Sequence, residues 1–140
     1  MAMPDITANK NYADNTILLE QDLDDLFIDQ IETLYINQTT VTLADNTASP
    51  TSIFAVSASS NTAIRVHYSI TRSAANIESG SMYIVNDGTN ASVTTSGAVI
   101  GTMGITFTAD IDSGNVRLLY TSTSTGQAAT FKYQKIAWQA

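Results

Sequence analysis

Ile64-Arg65-Val66-His67-Tyr68-Ser69-Ile70-Thr71-Arg72 decides the fold of this chain. Ile64, Val66, Tyr68 and Ile70 take alternate positions, and Arg65, His67, Ser69 and Thr71 fill the places between them. Successive side chains of an extended strand leave opposite faces, so this order gives one apolar and one polar face. A helix would scatter the same apolar residues around its circumference. The stretch is therefore a strand with one side in a core and the other in water.

The same alternation continues to either side. Thr40–Leu43 and Ser52–Val56 are shorter strand candidates, separated by the turn formers Asp45-Asn46 and Ser49-Pro50. Ser81–Asn86 leads through Asp87-Gly88, a hairpin signal, into Asn90–Thr95. Ile105, Phe107, Ala109 and Ile111 alternate with Thr106, Thr108 and Asp110, and Ser113-Gly114 then turns the chain into Val116, Leu118 and Tyr120. Ala129, Phe131 and Tyr133 open the last strand; a change of parity at Lys135–Ile136 predicts a bulge with Ile136 and Trp138 beyond it. Short strands with turns about every 8–12 residues predict an antiparallel β-sandwich or jelly-roll-like domain.

Upstream the rhythm changes. Over residues 18–36, Leu19, Leu23, Leu26, Phe27, Ile31, Leu34 and Tyr35 recur at helical spacing. Glu20, Asp22, Asp24 and Asp25 fall in the first turns, where negative charge meets the positive end of the helix dipole. With Ile28 the apolar positions span about 200°, twice the stripe of about 100° that one contact surface needs. Gln30 and Thr33 interrupt a heptad seam, which argues against a free coiled coil. The helix either touches both its own β-domain and a neighbouring subunit, or is buried within its own monomer. Residues 1–16 are polar around Pro4 and predict an extended tail that orders along another surface. The expected class is thus mainly β: residues 1–38 form an N-terminal arm and an acidic amphipathic helix that anchors and oligomerises, and residues 39–140 form the sandwich.

Composition narrows the function. A chain of 140 residues allows one domain and an arm. Without cysteine it has neither disulfides nor thiolate metal ligands. No run approaches the ~18 apolar residues of a membrane span, and Met1-Ala2-Met3-Pro4-Asp5 lacks the basic-then-apolar start of a secretion signal. The expectation is a soluble protein without a membrane partner. The net charge is −7, and between Asn11 and Ile64 there are eight acids and no Lys or Arg. An acidic chain repels phosphate, so no nucleic-acid partner is expected.

The residues that could carry chemistry favour simpler roles. His67 is the single histidine, on the polar face of its strand; with no cysteine beside it, it cannot build an ordinary zinc site. Asp22, Asp25, Asp29 and Glu32 line one solvated helix face and cannot oppose one another across a substrate, as glycosidase carboxylates must. Asp110 and Asp112 flank Ser113-Gly114-Asn115, which resembles part of a calcium loop but lacks its closing Glu. Turn formation explains those residues without a metal. No phosphate loop or nucleophile elbow is present. Tyr68, Tyr120, Phe131 and Tyr133 share parity with the aliphatic face and belong to a core rather than to a sugar-stacking platform. Trp138 stands apart, exposed or at a subunit contact. No catalytic residue, cofactor or metal site is predicted, and the expectation is a non-enzymatic protein.

Gly104-Ile105-Thr106-Phe107-Thr108-Ala109-Asp110-Ile111, continuing through Gly114-Asn115-Val116-Arg117-Leu118-Leu119-Tyr120-Thr121 to Ala129-Thr130-Phe131-Lys132-Tyr133, resembles a β-module of phage structural proteins. That module recurs in tail fibres, head fibres and capsid decorations. Asn11-Tyr12-Ala13-Asp14, with Leu19-Glu20-Gln21-Asp22-Leu23-Asp24 and Ile31-Glu32-Thr33, is similar to the helical lead-in of small phage surface proteins. Leu19 departs from that lead-in, where a Thr often caps the helix. The resemblance implies a homotrimer on the virion surface: a capsid-decorating, cement or head-fibre protein held by its arm to the major capsid protein or another virion protein. The alternative is a short tail-fibre or adaptor module that binds host glycan. The family has no catalytic motif to carry over.

Overall fold

The computed structural model describes residues 38–139. The expected arm and helix, with Leu19, Leu23, Leu26, Phe27, Ile31, Leu34 and Tyr35, lie outside the described residues. Gln38–Ala140 forms one compact unit. Its strands are β1 (Thr39–Leu43), β2 (Thr51–Ser57), β3 (Asn61–Ser73), β4 (Asn76–Asn86), β5 (Ala91–Ile100), β6 (Ile105–Asp112), β7 (Asn115–Ser122) and β8 (Ala129–Gln139).

Every pairing is antiparallel. The larger sheet has the order β1-β8-β3-β4-β5 and the smaller β2-β7-β6. The alternation in β3 orients the larger sheet. Ile64, Val66, Tyr68 and Ile70 turn inward beside Phe131 and Tyr133 of β8 and Met82 and Ile84 of β4. Val116, Leu118 and Tyr120 of β7 complete the same core from the smaller sheet, with Ile105, Phe107, Ala109 and Ile111 of β6 packed against it. The result is a sandwich of two antiparallel layers over one core. Stacked and tilted rings cross it from Phe54 to Tyr133, Phe131, Tyr68 and Phe107, at centroid separations of 5.2 to 6.0 Å. Phe131 is fully buried at the centre of this row; burial of such a side chain stabilises by about 1.5–3 kcal/mol. β3, β4 and β5 are consecutive neighbours, so this part is a meander and not the double Greek key of a jelly roll.

Two sequence expectations require correction. The predicted bulge at Lys135–Ile136 is absent. Pairing runs without a shift from Ile70↔Phe131 to Ala63↔Trp138, and the irregularity lies on β3, between Asn61 and Ala63. Lys135 therefore keeps the inward parity of Phe131 and Tyr133, its ammonium 5.6 Å from the Phe54 ring at the sandwich rim. A long side chain can follow the core rhythm and still bring its charge to water. The second correction is length: β4 begins at Asn76 and β5 runs to Ile100, beyond the expected Ser81–Asn86 and Asn90–Thr95. Ser79-Gly80-Ser81 has the composition of a turn but lies in mid-strand, where the ring-free Gly80 sits opposite Tyr68.

The loop end of the sandwich closes on Arg72, the inward-facing last turn of the β3 pattern and 4% exposed. Its Nε donates to the Gln127 carbonyl at 2.9 Å, and its terminal nitrogens donate to the carbonyls of Met103 and Thr123, both at 2.6 Å. The same group pairs with the Asp45 carboxylate. Asp45 in turn accepts from the amides of Thr125 and Gly126, both at 2.9 Å. One guanidinium thus ties the loops after β1, before β6 and before β8.

Candidate functional site

The outer face of the larger sheet, expected to be polar throughout, carries an apolar patch. Arg65 on β3 lies between Tyr83 of β4 and Ile136 of β8, and Ala63 lies between Val85 and Trp138 in the next row. Tyr83, Val85, Ile136 and Trp138 are 46%, 54%, 52% and 49% exposed, so this is a contiguous surface and not a set of isolated residues. The Arg65 guanidinium lies 5.4 Å from the Tyr83 ring centroid, and its Nε is buried without a hydrogen-bond partner. A cation over an aromatic face keeps its charge while presenting a flat, weakly hydrated surface.

The continuous register of β8 creates the patch. With no bulge, Ile136 and Trp138 share the parity of Lys132 and Gln134 and point away from the core. The adjoining row is polar: His67 lies between Ser81 and Gln134, its Nδ1 3.0 Å from the Ser81 hydroxyl oxygen. A shallow depression beside it is lined by Gln38, His67, Ser69, Lys132 and Gln134.

The other candidates resolve into structural roles. Tyr68, Tyr120 and Tyr133 are core residues. The Tyr68 hydroxyl donates to Glu78 at 2.6 Å, and its pKa is raised well above the ordinary value, first by burial and then by that carboxylate. Arg117 forks onto Asp110 at 2.8 and 2.7 Å and reaches Asp112 at 3.4 Å. The Arg117 hydrogen bond holds the Asp110 carboxyl below its usual range. Ser113 and Gly114 supply the positive φ angles, 52° and 80°, of the tight β6–β7 turn. Among the described residues no group of three or more His, Asp or Glu side chains is placed to hold a metal ion.

Trp138, singled out from the sequence, is on the patch; Val85 was not recognised as its neighbour. The available signal was the unbroken apolar run Met82-Tyr83-Ile84-Val85. A strand with one wet face needs only alternate apolar residues, so such a run marks a second face to be covered.

No protein-family model matches the sequence, and no curated protein sequence matches it. A solved structure, titled as the crystal structure of the Acinetobacter phage vB_ApiP_P1 tailspike protein, is similar to it at 18% identity with a TM-score of 0.48. The likeness covers 74% of this chain and 22% of that one, so the chain spans about a fifth of the tailspike's length. A likeness at that score is too distant to carry a functional conclusion.

Proposed function

We propose that the protein is a non-enzymatic structural component of a tailed-phage particle, a small capsid-decorating, cement or head-fibre protein exposed on the virion surface. Residues 1–38 hold it to the particle and join three copies, and the sandwich is its exposed knob. The observation that carries this reading is the apolar outer patch of Tyr83, Val85, Ile136 and Trp138 around Arg65. An exposed, partly apolar surface suits a protein partner, whose own side chains exclude water from it. The sequence resemblance to phage β-modules supplies the setting. Three linked arms would attach far more tightly than one.

Location of the protein by cryo-microscopy of the particle, with binding of purified chain to particles that lack it, tests the proposal. Deletion of residues 1–38 is expected to abolish incorporation, and Trp138→Ser with Tyr83→Ser to weaken it at least about tenfold, ~1.4 kcal/mol of binding. Undiminished incorporation of both variants would refute it. A second reading is favoured by Tyr83 and Trp138 standing on one exposed face beside the polar row of Ser81, His67 and Gln134: a tail-fibre or adaptor module that stacks host sugars. A glycan array with the full chain distinguishes the two.

A further inference from the structure

The edges of the sheets differ in how they are protected against pairing with another chain. β1 is only five residues long. β2 is interrupted by a register shift between Ser52 and Phe54. β6 carries Asp110 and Asp112, and the part of β8 beyond Tyr133 carries Lys135. Each is a recognised way of blunting an edge. β5 has none of them. Ala91-Ser92-Val93-Thr94-Thr95-Ser96-Gly97-Ala98-Val99-Ile100 is ten residues long, contains no charge and no proline, and pairs with β4 without a shift. Most of it is exposed, including Val99 at 55% and Ile100 at 68%.

The backbone of this edge faces outward in a definite phase. The Asp87 amide donates to the Asn90 carbonyl, which makes that pair hydrogen-bonded. Bonded and non-bonded pairs alternate along an antiparallel ladder. Ser92, Thr94, Ser96 and Ala98 therefore bond to β4, and Ala91, Val93, Thr95, Gly97 and Val99 turn their amides and carbonyls outward. The approach of Gly80 to Gly97 agrees: a Cβ on Gly80 would lie 2.8 Å from the Gly97 Cα, the closeness of a non-bonded pair.

We propose that β5 is an interface between copies of this chain, pairing antiparallel with β5 of a second copy about a two-fold axis at Thr95. On the outer face this edge adjoins the patch described above, since Thr94 and Ser92 pair with Tyr83 and Val85 of β4. The occupant follows from the other edges, because among the described strands only another β5 meets this one without a charge, a bulge or a short end. The register is self-complementary. Thr95 faces Thr95, Val93 faces Gly97 and Ala91 faces Val99, while Thr94 faces Ser96 and Ser92 faces Ala98 on the outer face. No large or charged pair is forced together, and about ten backbone hydrogen bonds join the sheets.

Light scattering of the full chain, with hydrogen exchange read residue by residue, tests this. Thr95→Lys places two ammonium groups on the axis at an exposed position, and Thr95→Pro removes an outward amide while leaving the bonds to β4 intact. Either is expected to reduce the assembled mass by about half, and in the unmutated chain the amides of Val93, Thr95 and Gly97 should exchange slowly. Unchanged mass in both variants, or exchange of those amides in the unmutated chain as fast as in an open loop, overturns the proposal. If the variants fail to fold, the exchange measurement decides alone. Loss of the β5 contact returns the assembly to the unit that the arms join, so a mass of the Thr95 variants that is not a multiple of three chains would sink the trimer and leave the β5 interface standing.

Discussion

Replacing Arg72 by methionine should open the loop end of the sandwich while leaving its sheets paired. The substitution keeps the buried aliphatic stem but removes the donors that serve the carbonyls of Gln127, Met103 and Thr123, along with the partner of Asp45. Hydrogen bonds from a charged group contribute about 1.5–3 kcal/mol each. Simple addition would overstate the loss, because the freed loops can admit water and Asp45 retains the Thr125 and Gly126 amides. Removal of one partner from a buried ionic cluster typically costs about 3–5 kcal/mol, which we take as the expected loss. In a domain of this size that lowers the melting midpoint by about 12–25 °C. Urea denaturation followed by tryptophan fluorescence and far-ultraviolet dichroism measures it, and Trp138 provides the fluorescence. A loss below about 1 kcal/mol would refute the assignment of Arg72 as the clamp of these loops.

Acid should weaken the domain. Asp45 is held below its ordinary 3.8 chiefly by the Thr125 amide, against desolvation and with help from the Gly126 amide and Arg72. Asp110 is lowered chiefly by Arg117, and Asp87 by the Asn90 and Thr89 amides. A carboxyl whose folded value lies below its unfolded value contributes stability that is full above the unfolded value and lost as pH falls through the folded one. The urea midpoint should therefore fall as pH drops from about 5 to about 2, with a shallower fall in Asp45→Asn; a midpoint that rises over that range contradicts the linkage. Gly80→Ala should destabilise by about 1–3 kcal/mol, since the added methyl meets backbone that cannot rotate away. The Ser96 carbonyl oxygen would stand only 2.3 Å from it. The same urea series checks this, and an unchanged midpoint would mean that β4 and β5 can separate freely at that point.

Much of the sandwich was legible because alternation is a local property. Ile64 through Ile70 show their inward face without reference to any partner, and the Asp87-Gly88 and Ser113-Gly114 turns announce their hairpins by backbone preference alone. The reading failed where a residue's meaning depended on a neighbour distant in the chain. Gly80 fell outside the expected Ser81–Asn86 strand because its reason for being glycine, the near contact with Gly97, comes from a different strand. Lys135 looked like a parity break because a charge was expected to face outward, whereas the rim beside Phe54 lets it follow the inward set. That one misreading hid the outer patch, since it removed Ile136 and Trp138 from the register that places them beside Tyr83 and Val85.

By itself the sequence determined which segments are extended and which face of each central strand is buried, because the period of side chains along one strand requires no tertiary information. It also set the charge that disfavors phosphate partners. Only the tertiary structure decided strand order, the three-loop clamp on Arg72, the company of Trp138 and which edge was left without a guard. Each of these is a relation between segments far apart in the chain, set by the shared core and by which strands it brings side by side.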